Sequence, residues 1–168
     1  MSLSSETTPP PPSSGQKATK TGNRLEKFVE EALRERDYTE FWNHKAHAFE
    51  NRKAIGGKQY LKQLPIGPTI YNTVRKCDFL VINRAIFADD LIIECKWQQS
   101  SGSVDEKYTL LLFNILKTGI PTVVLLDGGG YKASAMKWLR EQAHPKSALI
   151  GVWTMAEFHK AVNNGFLG

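Results

Sequence analysis

Asp78 ends a basic run and opens an apolar one. The next apolar stretch, Leu91-Ile92-Ile93-Glu94-Cys95-Lys96-Trp97-Gln98, carries a carboxylate and an ammonium two positions apart. On a strand, alternate side chains share a face, so Glu94, Lys96 and Gln98 point one way and Ile93, Cys95 and Trp97 the other. Charges on so apolar a strand are costly unless something needs them there. Two carboxylates and a lysine converging at a sheet edge are what metal-assisted hydrolysis of a phosphodiester requires. The bland account makes Asp78 a strand-end cap and Glu94–Lys96 a neighbouring ion pair. Exposed pairs of that kind contribute only about 0–1 kcal/mol, a weak reason to interrupt a strand.

These residues need a frame. The spacing of Leu25, Phe28, Val29, Ala32 and Leu33 predicts a helix over 23–36, with Asn23 and Glu26 in the form of a capping box. Residues 38–63 are ambiguous: Phe41, Trp42 and Phe49 are apolar anchors, and Gly56-Gly57 marks a turn within a basic loop. Pro65 and Pro68 keep the next segment extended or at a sheet edge, and 70–74 is expected to be a strand or its approach. Strands are predicted over 77–82 and 91–97, joined by 83–90, a length compatible with a hairpin. Symmetric pairing about Ile86 sets Asp78 against Glu94. The same register sets Cys77 against Cys95 on the other face, with Cβ atoms roughly 5 Å apart, and so predicts two buried neighbouring thiols behind the site.

Further along, a helix is expected over 104–117, ended by Gly119 and Pro121. A buried parallel strand over 122–126 follows, and Asp127-Gly128-Gly129-Gly130 turns the chain. A helix through Ala135, Met136, Trp138 and Leu139, a strand over 148–153 and a last helix capped by Thr154 with Glu157 complete the chain. Helix, three strands, helix, strand, helix, strand, helix predicts an α/β fold, a mixed central sheet flanked by helices.

At 168 residues, 41% hydrophobic and 23% charged, the chain suits one domain. Residues 1–20, with Pro9 to Pro12 among Ser and Thr, predict a disordered tail and leave 21–168 as that domain. The tail lacks the apolar segment of a secretory signal, and the longest apolar run, over 110–116, is too short to cross a bilayer. Cys77 and Cys95 make no disulfide framework. A soluble, reduced, cytoplasmic protein is expected, nucleoid-associated when bound to DNA.

The charge of +5 is unevenly placed. Lys45, Arg52, Lys53, Lys58, Lys62, Arg75 and Lys76 stand against Glu50 alone, and the rest of the chain is close to neutral. This span reads either as a solvated surface or as a footprint for a polyanion, with Trp42, Tyr60 and Tyr71 interleaved. His44 and His47 have no cysteine partners that would suggest zinc. The triple glycine lacks the Gly-Lys-Ser/Thr ending of a P-loop. Asp89-Asp90 reads as turn chemistry.

Asp78 with Glu94 and Lys96, on these strands in this order, resembles the core motif of the PD-(D/E)XK nuclease superfamily, whose restriction-endonuclease-like fold has an α-β-β-β-α-β core. The Glu94-Cys95-Lys96 strand and the Ser101-Gly102-Ser103-Val104-Asp105-Glu106-Lys107 loop resemble type II restriction-endonuclease-like members. The resemblance implies that Asp78, Glu94 and the backbone carbonyl of Cys95 hold one or two Mg²⁺ ions, with Mn²⁺ able to substitute. It implies that Lys96 orients or helps deprotonate the attacking water. Glu26 matches an acidic residue on the first helix, although the capping box also explains it. Gln98 matches a glutamine that often follows the motif, and Lys107 is either aimed at the site or a solvated helix lysine. Cys77 stands where the family name has proline. The implied function is a Mg²⁺-dependent DNA endonuclease, a homodimer because cutting both strands needs two sites. The alternatives are a structure-specific repair or junction nuclease, and a DNA-binding module with a vestigial site.

Overall fold

The computed structural model describes residues 14–41, 49–99 and 106–168. Residues 1–13, the segment with Trp42, His44, Lys45 and His47, and residues 100–105 lie outside the described residues.

The chain runs α1 (Ser14–Arg34), β1 (Thr39–Glu40), a short 3-10 turn (Glu50–Ala54), β2 (Gln59–Pro68), β3 (Val74–Ile82), β4 (Leu91–Trp97), α2 (Glu106–Thr118), β5 (Thr122–Asp127), α3 (Ala133–Glu141), β6 (Leu149–Trp153) and α4 (Met155–Asn163). The six strands form one sheet in sequence order. β2, β3 and β4 are antiparallel neighbours, and β5 and β6 continue parallel to β4. This is the mixed α/β architecture predicted, with one two-residue strand added at the edge.

Strand alternation divides β4 between two cores. Leu91 and Ile93 join Phe79, Val81, Val123 and Leu125 beneath Leu25, Val29 and Leu33 of α1 and Phe158 of α4. Ile92 faces the other way, with Leu61, Leu80, Ile82 and Ile120. On that second face α2 and α3 cover β5 and β6 through Tyr108, Leu112, Ile115, Met136 and Leu139. β5 is apolar from Val123 to Leu126 because helices bury both of its faces.

Several boundaries differ from expectation. α1 begins at Ser14, and Asn23 lies inside the helix rather than at its N-cap. The segment 69–73 is the β2–β3 turn rather than a strand, closed by Thr69 N–H donating to the Thr73 carbonyl at 2.7 Å. Pro65 is tolerated within β2 because, among the described residues, β1 pairs only with Gln59 and Tyr60 and the outer edge at Pro65 has no ladder neighbour. The Thr154–Glu157 capping box forms as read.

The β3–β4 register is the symmetric one, with Phe79 opposite Ile93 and Val81 opposite Leu91. The neighbouring thiols do not follow. Cys77 packs with Leu80 and Ile82, whereas Cys95 packs on the α1 side, so the two lie in cores on opposite faces of the sheet. Side-chain parity slips in β3 between Cys77 and Phe79. It slips in parallel in β2, where Leu61 and Leu64 share one core across Gln63 at φ +50°. The pairing survives, Lys62 with Phe79 and Leu64 with Cys77, but simple alternation does not.

Candidate active site

The β3–β4 ladder stops at Phe79 and Ile93, and one residue further the Asp78 carboxylate does what a main-chain carbonyl would have done. Its Oδ2 accepts the Cys95 backbone N–H at 2.7 Å. From Glu94 to Trp97, β4 continues its pairing with β5. Asp78 therefore sits in the gap where β3 and β4 part. The Cys95 carbonyl shares the strand edge from which its N–H reaches that carboxylate.

Lys96 joins the two acids. Its Nζ lies 2.8 Å from Glu94 Oε2 and 3.2 Å from Asp78 Oδ2. Burial alone would lower the Lys96 pKa, but Glu94 and Asp78 outweigh it and hold the ammonium well above its ordinary range. Lys96 is thus a firm cation here.

Glu94 is 2% exposed, and its other oxygen is held by Arg75 Nη1 at 3.2 Å. Sequence reasoning placed Arg75 on a polyanion; the structure turns it onto Glu94. Gln63 was missed altogether. Its Nε2 donates to Asp78 Oδ1 at 3.1 Å, and its side chain also hydrogen-bonds Glu26. No pattern marks it beforehand, since its orientation follows from a left-handed backbone at a non-glycine residue.

α1 supplies Glu26 because Leu25, Val29 and Leu33 hold one side of the helix on the sheet. The carboxyl is raised above its usual value by burial first and then by Asp78, against the opposing pull of Gln63, Lys96 and Lys62. One turn on, Glu30 accepts from the Tyr60 hydroxyl at 2.9 Å and Lys62 at 3.0 Å, fastening α1 to β2. With Asn23 inside the helix, the capping account of Glu26 falls away, and its carboxyl is one of the charges surrounding Asp78.

Gln98 is buried and anchored beyond the acids. Its side chain accepts from the Tyr108 hydroxyl on α2 and donates to the Gly130 carbonyl at 3.3 Å. Gly128, at φ +105°, passes so close that a Cβ there would collide with the Gln98 backbone. The glycine turn after β5 thereby locks the end of β4, which accounts for the glycines without a bound phosphate. Between this strand end and α2 lies a cavity of about 350 Å³ lined by Lys96, Gln98, Lys107 and Tyr108.

The basic span is dispersed rather than continuous. Arg52 pairs with Asp90 at 3.1 Å, and Lys58 donates to the Arg36 and Gly168 carbonyls, both at the far end of the β3–β4 hairpin. Lys62 pairs with Glu30 and Glu40 on the α1 side. Lys53 and Lys76 are exposed, and Lys76 is adjacent to the site in β3. Lys45 lies outside the described residues.

The family model of the PD-(D/E)XK nuclease superfamily domain matches residues 17–166, and the chain belongs to that superfamily. It is a nuclease domain. No match was found among curated proteins or among solved structures.

Nucleases of this superfamily generally use divalent metals. Among the described residues, no three His, Cys, Asp or Glu side chains form a metal cage. The donors are instead a pair of carboxylates bridged by a lysine, beside a main-chain carbonyl. Hard oxygens in that small number suit a cation such as Mg²⁺, which keeps several waters and binds through one or two carboxylates, and they do not suit zinc.

Proposed function

We propose that this chain is a divalent-metal-dependent DNA endonuclease of the restriction-endonuclease-like kind. The observation that supports it is one lysine within ion-pair distance of two carboxylates contributed by adjacent strands, where the ladder between those strands gives way to a side chain. Asp78, Glu94 and the Cys95 carbonyl would hold Mg²⁺ or Mn²⁺. When bound, the ion supplies Lewis acidity and an activated water. Lys96 holds its proton at Nζ and presents positive charge where the phosphate gathers negative charge on attack. Glu26 and Gln63 orient Asp78 from the α1 side. Gln98 steadies the strand end that carries Lys96. Exposed Lys76 would contact the backbone, and contacts of that kind fix register without reading sequence.

A second copy would supply the second cut. Ile70, Tyr71 and Val74 on and beside the β2–β3 turn, and Phe113 and Leu116 on the helix to which Asn114 and Lys117 tie that turn, expose apolar surface on which copies could meet. Among the described residues, no helix is long and apolar enough to cross a membrane.

The test is plasmid cleavage at low salt with Mg²⁺, with Mn²⁺ and with EDTA, comparing wild type with Asp78→Ala and Lys96→Ala. Cleavage that needs metal and is lost in both variants supports the reading, and discrete fragments favour a restriction type over a structure-specific one. Salt-sensitive binding without turnover under any metal turns the reading toward a DNA-binding module.

A further inference from the structure

Among the described residues, Arg75 has the most buried side-chain donors without a partner. Its side chain is only 10% exposed, and its Nη1 bonds Glu94 Oε1. Its Nε and Nη2 are buried with no hydrogen-bond partner. A guanidinium carries five donors, and leaving buried donors unmade costs roughly 1–3 kcal/mol for each. The other arginines on a buried carboxylate are better served: Arg52 and Arg84 reach the Phe49, Ile55 and Arg52 carbonyls as well as Asp90. Among the described residues, Glu94 is the one side chain that Arg75 pairs with.

Glu94 thus has a cation on each oxygen, Arg75 on Oε1 and Lys96 on Oε2. Lys96 is shared with Asp78, but Arg75 touches Glu94 alone among the site's acids. We infer that Arg75 is a resident counter-ion of Glu94, which a divalent cation must displace in order to load the site. This rests on the nuclease reading in taking Asp78 and Glu94 as the cation's ligands. A dication on Glu94 removes the one attraction that keeps Arg75 buried and replaces it with repulsion. The side chain is then freed from its buried place on Glu94. Arg75 is therefore a positioning residue: its hold on Glu94 sets how readily a cation loads the site.

The test is calorimetric titration of Mn²⁺ into the full chain without nucleic acid, for wild type, Arg75→Gln, Asp78→Asn and Lys137→Gln. Lys137 is an exposed lysine on α3 and serves as a remote control for lost charge. Arg75→Gln should bind Mn²⁺ on the order of tenfold more tightly than wild type, as expected for removing one competing unit charge at ion-pair distance. Lys137→Gln should match wild type, and Asp78→Asn should lose the binding. Thermal melting of each variant verifies the fold and gives a second reading, since a folded Arg75→Gln should gain more melting temperature from Mn²⁺ than wild type does. Equal or weaker binding by folded Arg75→Gln overturns the inference while leaving the Asp78-dependent site standing. Binding that ignores Asp78→Asn, or no binding in any variant, overturns the nuclease reading along with it. If Arg75→Gln does not fold, Arg75→Lys takes its place, and that variant, whose shorter ammonium holds Glu94 less well, should also bind Mn²⁺ more tightly than wild type.

Discussion

The β3–β4 hairpin holds a buried carboxylate at each end, and each is gripped by two cations. At the turn end, Asp90 meets Arg52 and Arg84, both at 3.1 Å. At the open end, Glu94 meets Arg75 and Lys96 at 3.2 and 2.8 Å. The surroundings separate them. The turn-end arginines give further donors to carbonyls of 49–55, and Arg52 stacks on the Phe49 ring at 4.1 Å, so the cluster closes on itself and clamps that loop to the hairpin. At the open end a second carboxylate crowds in, two donors go bare, and a side chain takes a ladder position. A satisfied charge cluster is architecture; one left with surplus charge and surplus donors is built for something that is not part of the chain.

Breaking each end should give opposite symptoms. The largest effect belongs to the open end: Asp78→Ala or Lys96→Ala should cut the rate of metal-dependent cleavage by on the order of 10³-fold or more, read by plasmid nicking, while a cooperative melt is retained. Asp90→Ala should do the reverse. It strands two arginines and should cost roughly 2–4 kcal/mol by urea denaturation, tempered because Arg84 is partly solvated, with the cleavage rate per folded molecule unchanged. Loss of turnover in a fully folded Asp90→Ala would erase the contrast between the two ends. Gly128→Ala is smaller still, about 1–3 kcal/mol from a left-handed backbone and a collision with Gln98. Its effect should concentrate at the β4 end, where amide exchange of Gln98 and Gly130 would quicken.

The smallest effect sharpens the contrast by pH. Burial and Asp78 raise the folded-state pKa of Glu26, so its contribution to stability is complete below the unfolded value and is lost as pH rises through the folded one. Glu26→Gln should therefore melt higher than wild type near neutrality, by about 1–3 °C after allowing for its partial exposure, and the advantage should vanish below about pH 4.5. An advantage that grows on acidification would mean that Glu26 is not strained by Asp78.

Much of this was readable from the chain. The order of the elements follows from apolar periodicity, and the Asp78–Glu94 register follows from the symmetry of the hairpin about Ile86. Four things were not readable. Gln63 reaches Asp78 only because β2 carries a left-handed residue, and that same slip parts Cys77 from Cys95. Alternation is a property of regular strands, and this site is where two strands depart from it together. Arg75 and Lys76 are adjacent and chemically alike in sequence, yet one is buried on Glu94 and the other exposed, a difference made by strand parity and not by residue type. Asp90 read as a turn residue because nothing local announces that Arg52 will arrive from across the fold.

The amide of Cys95 offers an observer inside the site. A backbone N–H that donates to a carboxylate at 2.7 Å has its proton strongly deshielded, so its nuclear resonance stands apart from those of ladder amides. That single line should move when Asp78 takes up a proton, again when its charge is shared with a cation, and again when a phosphodiester is seated. Each step of filling the site can then be followed in solution from one isotope-labelled cysteine, with no cleavage required.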